Sequence, residues 1–139
     1  MLVIGIAALA LAASGAIWIR TSMLVAVVRG PSMLPTYHDG ERLIARRRRR
    51  RAVPRPGDVV VFRNPHPAGV PGSSEGPLLI KRVGAGPHET APAGMTADRV
   101  PAGHLVVLGD NPAQSLDSRH LGFIPVDNVI ATVVRGLHR

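Results

Sequence analysis

The stretch MLVIGIAALALAASGAIWI, residues 1–19, contains no charged side chain. As a helix it would run about 28 Å, close to the hydrocarbon thickness of a bilayer, and it reads as one membrane span. A cleavable signal peptide is the competing reading. Such a peptide normally opens with basic residues and has an apolar core of only about 7 to 15 residues, so a retained anchor over residues 1–20 fits better. Residues 21–139 then make one domain of ordinary size. Arg20 and Arg29 follow the span while only the amino terminus precedes it, and the positive-inside rule by itself would put that domain in the cytoplasm.

Beyond the span there is no amphipathic helix of convincing length. Six short runs rich in Val, Ile or Leu are expected as strands: Met23 to Val28, Arg42 to Ala45, Val59 to Arg63, Leu78 to Val83, Leu105 to Leu108 and Val129 to Val134. Gly, Pro, Asn and Asp separate them. The predicted architecture is mainly β, a small β-barrel-like or folded sheet after a single amino-terminal transmembrane helix. Residues 64–77 and 84–103, rich in Gly and Pro, read as mobile surface loops.

The formal charge is +8, which suits polyanions. With 3% aromatic residues the chain has few platforms on which bases could stack, so nucleic acid is not expected and a membrane surface, including anionic head groups, is the better partner. Arg46 to Arg51 form an unbroken basic run between two expected strands. It reads first as a charged hairpin that keeps a sheet edge from pairing, and second as a contact for anionic lipid. There is no cysteine, which excludes disulfides and thiolate chemistry. No cofactor or metal is expected, since His38, His66, His88, His104, His120 and His138 lack metal-ligand spacing such as H-E-x-x-H.

Seventeen Lys and Arg residues include one lysine, Lys81, in the run LLIKRV. An ammonium can lose its proton when stripped of water, whereas a guanidinium stays charged in any protein setting. A lysine needed as a neutral base is therefore one that arginine cannot replace. Strand alternation puts Leu79, Lys81 and Val83 on one face and Ile80 with Arg82 on the other, so the amine shares an apolar face that disfavours its charged form. Ser32, in GPSMLPT at residues 30–36, is a candidate nucleophile in need of such a base. The G-x-S-x-G elbow is absent around it, and the histidines offer no supported triad.

Four motifs in fixed order, GPSMLPT (30–36), RPGDVVVF (55–62), LIKRV (79–83) and GDNPAQSLDSRHLGFIP (109–125), all following an apolar span, resemble the type I signal peptidase family of membrane-bound serine proteases. The resemblance implies Ser32 as nucleophile and Lys81 as general base. It makes Ser115 the serine that hydrogen-bonds the base, with Asp110, Asp117 and Arg119 as supporting framework. It also implies cleavage of signal or leader peptides from exported precursors after small residues, and a catalytic domain on the extracytoplasmic side of the cell membrane. A peptide added as a strand beside Met23 to Val28 and Leu78 to Lys81 would bring Met33 and Leu79 to the substrate. Some members of the family add a side-chain hydroxyl as oxyanion donor two residues before the nucleophile, a position that is Gly30 here as in part of the family, and VGAGPHE departs from the usual V-x-G-x-P-G-D, which puts the turn after the lysine strand in question. A dedicated protease for one precursor is the near alternative. A non-catalytic, membrane-anchored basic binding protein is the distant one.

Overall fold

β-branched residues crowd a helix but pack well on a pleated surface, and runs such as VVVFR, closed by Asn-Pro on one side and Pro-Gly-Asp on the other, accordingly extend. The computed structural model of the chain describes residues 5, 6, 9, 11–15, 21–66 and 76–137. Its strands are β1 (Met23–Val27), β2 (Arg42–Arg47), β3 (Val59–Arg63), β4 (Leu78–Ala85), β5 (His104–Leu108), β6 (Ile124–Pro125) and β7 (Val129–Leu137). All six expected strands form. The two-residue β6 was not expected, because it is too short to show any periodicity.

The strands make one antiparallel sheet in the order β1-β2-β7-β3-β4-β5-β6. The carboxy-terminal strand thus enters the middle, between β2 and β3. Register shifts at Ile44/Ala45, Val61/Phe62 and Val83/Ala85 bend the strands, as β-bulges do. Val60, Phe62, Leu79, Val83, Leu105, Val107, Ile124, Val126 and Val129 form the principal core. Ala45, Val61 and Ala131 form a second cluster, which follows from strand alternation in β3, where Val61 points away from Val60 and Phe62.

Two expectations are corrected. β2 is paired on both sides, Arg46 with Met23 and Thr132, and Arg47 with Ala131. The arginine run therefore does not protect a sheet edge, because there is no edge there. Residues 84–103 are also not a bare surface loop. Gly84 and Ala85 belong to β4, His88 and Val100 are joined by a 2.9 Å backbone hydrogen bond, and Val100 N–H bonds the Glu89 carbonyl at 3.0 Å. Val100 is buried with Ala85 and Val106, with Met95 and Phe123 packed against them, which gives this Gly- and Pro-rich segment an apolar anchor. Of residues 64–77, only 64–66, 76 and 77 are described.

The expected anchor, residues 1–20, lies for the most part outside the described residues. Residues 5, 6, 9 and 11–15 are helical, and Ile6, Leu9 and Leu11 are exposed. Among the described residues no helix is long and apolar enough to cross a membrane.

Candidate active site

Ser32 sits in a loop, residues 28–41, closed at its base by Val28 N–H to the Glu41 carbonyl and Gly40 N–H to the Val28 carbonyl, both at 2.9 Å. Gly30 turns the chain at φ 75°, a left-handed conformation that glycine adopts without steric cost. Asp39 holds that turn by accepting from Gly30 N–H at 2.8 Å. Lys81 comes from β4, where alternation holds as expected: Leu79, Lys81 and Val83 are buried, while Ile80 and Arg82 are half-buried.

The two side chains meet. Lys81 Nζ lies 2.8 Å from Ser32 Oγ, with Ser32 5% and Lys81 2% exposed. Leu79 and Val83, the same-face neighbours of Lys81, belong to the principal apolar core. A lysine stem reaching to water is the ordinary outcome for such a residue. Here the head is turned inward instead, toward a hydroxyl.

The loop from Gly109 to Leu121 braces this pair from behind. Asp117, fully buried, accepts from Gly109 N–H (2.9 Å), Ser115 Oγ (2.8 Å), Arg119 Nε (2.9 Å), Arg119 Nη2 (2.6 Å) and Arg119 N–H (3.2 Å). Burial pushes the Asp117 carboxyl up, but the Arg119 guanidinium, the Gly109 and Arg119 N–H groups and the Ser115 hydroxyl outweigh it and hold the pKa down to about 2. Ser115 spends its one proton on Asp117. Its lone pairs alone are left for any other partner, such as an amine. Ser118 Oγ accepts from Val107 N–H at 2.9 Å, fastening the short helix Ser118–Leu121 to β5.

Gly109 is set by close approach. A Cβ there would overlap the Ser115 side chain and come within 2.7 Å of the Ser32 carbonyl oxygen. That carbonyl accepts from Asn111 N–H at 2.9 Å, and the Pro31 carbonyl accepts from Asn111 Nδ2 at 3.2 Å. The backbone of the nucleophile loop is therefore docked directly onto the GDN segment.

Asp110 faces the other way. It accepts two bonds from Arg82, Nε to Oδ1 at 2.9 Å and Nη2 to Oδ2 at 2.7 Å, and a third from Thr36 Oγ1 at 2.6 Å. Hydrogen bonding to Arg82, opposed by desolvation and helped by Thr36, holds the Asp110 carboxyl below its usual value. Arg82 Nη1 also reaches the Gly57 carbonyl at 2.9 Å. Gly57 N–H and the Asp58 carbonyl pair with Val83 at 2.8 Å, so the RPGD turn closes on the end of the lysine strand.

All eight residues singled out from the sequence lie at or around this pair. Asp110 stands one residue from the GDN contact with Ser32, while Met33 and Leu79 are buried and line the adjoining cleft. Sequence reasoning missed Thr36, Arg82, Gly109 and Asn111. Each belongs to a motif already recognised, so the available clue was the motif itself. Despite the departure after the K-R pair, the segment forms a hydrogen-bonded turn, with Glu89 N–H on the Gly86 carbonyl at 3.2 Å. His88 stands where V-x-G-x-P-G-D has its second glycine and takes φ 66°, and Glu89 stands at the aspartate position, accepting from Gly86 N–H at 2.8 Å. Among the described residues no three His, Asp or Glu side chains form a group that could hold a metal ion.

A cleft of about 380 Å³ opens at Ser32, lined by residues 27–33 on one side and 76 and 78–81 on the other. The outer edge of β1 has no partner strand among the described residues. β5 pairs with β4 only from Arg82 onward, so the second edge of residues 78–81 also has no partner strand among the described residues. A larger groove, about 840 Å³, lies away from this chemistry, among the arginines.

Comparison with known proteins agrees with the geometry. The family described as "Signal peptidase, peptidase S26" matches residues 1–91 and 87–136. A probable signal peptidase I-1 of Synechocystis sp. is 33% identical over 123 residues, covering 71% of this chain and 63% of that protein. Mitochondrial inner membrane protease subunit 1 of Schizosaccharomyces pombe is 33% identical over 120 residues, covering 79% and 70%. A signal peptidase I of Leptolyngbya laminosa is 30% identical over 155 residues, covering 94% and 76%. The chain thus spans about three-fifths of the length of the Synechocystis relative and about three-quarters of the Leptolyngbya one.

Proposed function

We propose that this chain, which belongs to the signal peptidase family, peptidase S26, is a membrane-bound serine endopeptidase that removes signal or leader peptides from exported precursors. The observation that carries the reading is the 2.8 Å approach of a buried lysine amine to a buried serine hydroxyl. Burial among Leu79 and Val83 favours the neutral amine, and a neutral amine beside an alcohol is a general base beside a nucleophile.

The steps follow from that arrangement. Lys81 takes the Ser32 proton as Oγ attacks the scissile carbonyl, returns a proton to the departing amine, and then activates the water that cleaves the acyl-enzyme. Negative charge on the carbonyl oxygen needs a preorganised donor. Ser32 N–H is the candidate, having no acceptor among the described residues. Gly30 N–H is already engaged by Asp39. Ser115, oriented by Asp117, would accept from the amine and keep it aimed at Ser32.

The open edge of residues 78–81 and the end of β1 at Val27, which line one cleft, suit a substrate held as an added strand with alternate side chains directed past Met33 and Leu79. Residues 1–20 would be the anchor and residues 21–139 the peptidase domain, on the extracytoplasmic side where precursors emerge. The test is cleavage of a precursor after an A-x-A end by the purified chain. Ser32→Ala and Lys81→Arg should each abolish it, and full activity in Lys81→Arg would overturn the dyad. A panel of exported precursors separates a general enzyme, which cuts many, from a dedicated one, which cuts its own.

A further inference from the structure

The arginine run, having no edge to protect, is organised around one of its members. Arg48 is turned in, its side chain 9% exposed, with Nε on the Val129 carbonyl at 3.1 Å, Nη1 on the carbonyls of Arg50 (3.1 Å) and Ala52 (3.2 Å), and Nη2 on Asp127 Oδ1 at 2.8 Å. These bonds fix the path of the loop. Around it opens the groove of about 840 Å³, lined by the exposed Arg46, Arg47, Arg49 and Arg55. None of these four makes an ion pair among the described residues. One carboxylate besides lines the groove, Asp58, and it accepts from Arg55 N–H at 2.9 Å.

Two further features point to what such a groove meets. Thr21 and Ser22 form part of its wall, two and three residues past the apolar stretch. Two residues reach at most about 7 Å, comparable to the depth of one polar headgroup layer, roughly 5 to 7 Å. Val53 and Val134, 49% and 59% exposed, share the lining with the arginines. A wall that mixes cations with bare valines matches the boundary between phosphates and acyl chains. The lining contains no aromatic ring on which a base could stack.

We propose that this groove binds the phosphate groups of anionic phospholipids in the leaflet from which the domain emerges, and so sets how the domain sits on the membrane. The proposal rests on the membrane reading of residues 1–19 and is independent of the Ser32 and Lys81 chemistry. Guanidinium forks engage phosphate oxygens in pairs, and each basic residue near an anionic surface adds to the attraction.

The test uses the full chain in lipid nanodiscs of phosphatidylcholine, with and without phosphatidylglycerol, read by amide hydrogen exchange over residues 49–55. Phosphatidylglycerol should slow exchange there on the order of fivefold or more, and molar salt should reverse it. The variant R46Q/R47Q/R49Q/R55Q should lose the response while still cleaving precursor in detergent, and Ser32→Ala should keep the response while losing cleavage. Equal protection in neutral discs, equal protection by inorganic phosphate, or protection by a single-stranded oligonucleotide but not by phosphatidylglycerol would each overturn the proposal. A failure of cleavage alone would touch only the peptidase reading.

Discussion

The cleft and the groove both present cations, and they treat water in opposite ways. In the cleft one lysine is 2% exposed and its side-chain nitrogen faces a hydroxyl. In the groove four arginines stand exposed around a fifth that is turned in and saturated with acceptors. Desolvation costs several kcal/mol per ion, as an order of magnitude, unless the group is paired or gives up its charge. Lysine can give up its charge and arginine cannot. The difference teaches that residue type here follows solvation: the basic side chain withdrawn from water beside a hydroxyl is the lysine, which can be neutral, and those left in water are arginines, which cannot.

Removing the cleft's amine is the harshest way to break that comparison. Lys81→Arg should lower the cleavage rate by a factor of about 10² to 10⁴ or more, while the four-arginine variant should stay within about twofold in detergent. Lys81→Met, matched in volume and free of charge, should be equally inactive and melt no lower than the parent, which thermal unfolding with a cleavage assay checks.

Gly109→Ala should come next. The added methyl group meets Ser115 and the Ser32 carbonyl, which costs about 1 to 3 kcal/mol of stability. Because the same shift displaces the nucleophile loop, the rate should fall by on the order of a hundredfold, beyond what the unfolded fraction explains. Denaturant curves and turnover on one preparation separate the two effects.

Asp117 sharpens the comparison through pH. Its folded pKa of about 2 lies below the ordinary 3.8, so its contribution is complete above the unfolded value and is lost as pH falls from about 4 towards 2. The loss should be about 2 kcal/mol, with Asp110, also held low, adding in the same direction. Asp117→Asn should flatten that part of the stability profile measured by denaturation. Substitutions among the groove arginines should leave it unchanged.

The smallest effect is expected at the turn after β4. His88→Gly relieves a left-handed residue at φ 66° but frees the unfolded chain, so stability should rise by no more than about 1 kcal/mol. A measured loss would show that the His88 side chain contributes to the turn.

Much of this was legible beforehand, for reasons particular to the residues concerned. Val59 to Arg63 and Leu78 to Val83 announced themselves as strands because side-chain alternation and β-branching are local properties. Lys81 was conspicuous because a neutral amine is the one cationic task arginine cannot perform. The packing of residues 84–103 was not legible, since a run of Gly, Pro and Ala carries no period, and only the burial of Val100 against Ala85 and Val106 shows it to be structured. Nor could the edge-protecting reading of the arginine run be rejected while the position of β2 in the sheet was unknown.

By itself, then, the sequence determined which stretches extend, which face of β4 is apolar, and which serine and lysine to propose for acyl transfer. Tertiary structure alone decided that β7 enters between β2 and β3, that Ser32 and Lys81 meet across 49 residues of chain, and that Thr36 finds Asp110 across 74. The reason is physical. Backbone preference and alternation act over a few neighbours, whereas the choice of partner strand and the desolvation of a charge depend on surfaces that only come together when the whole sheet assembles.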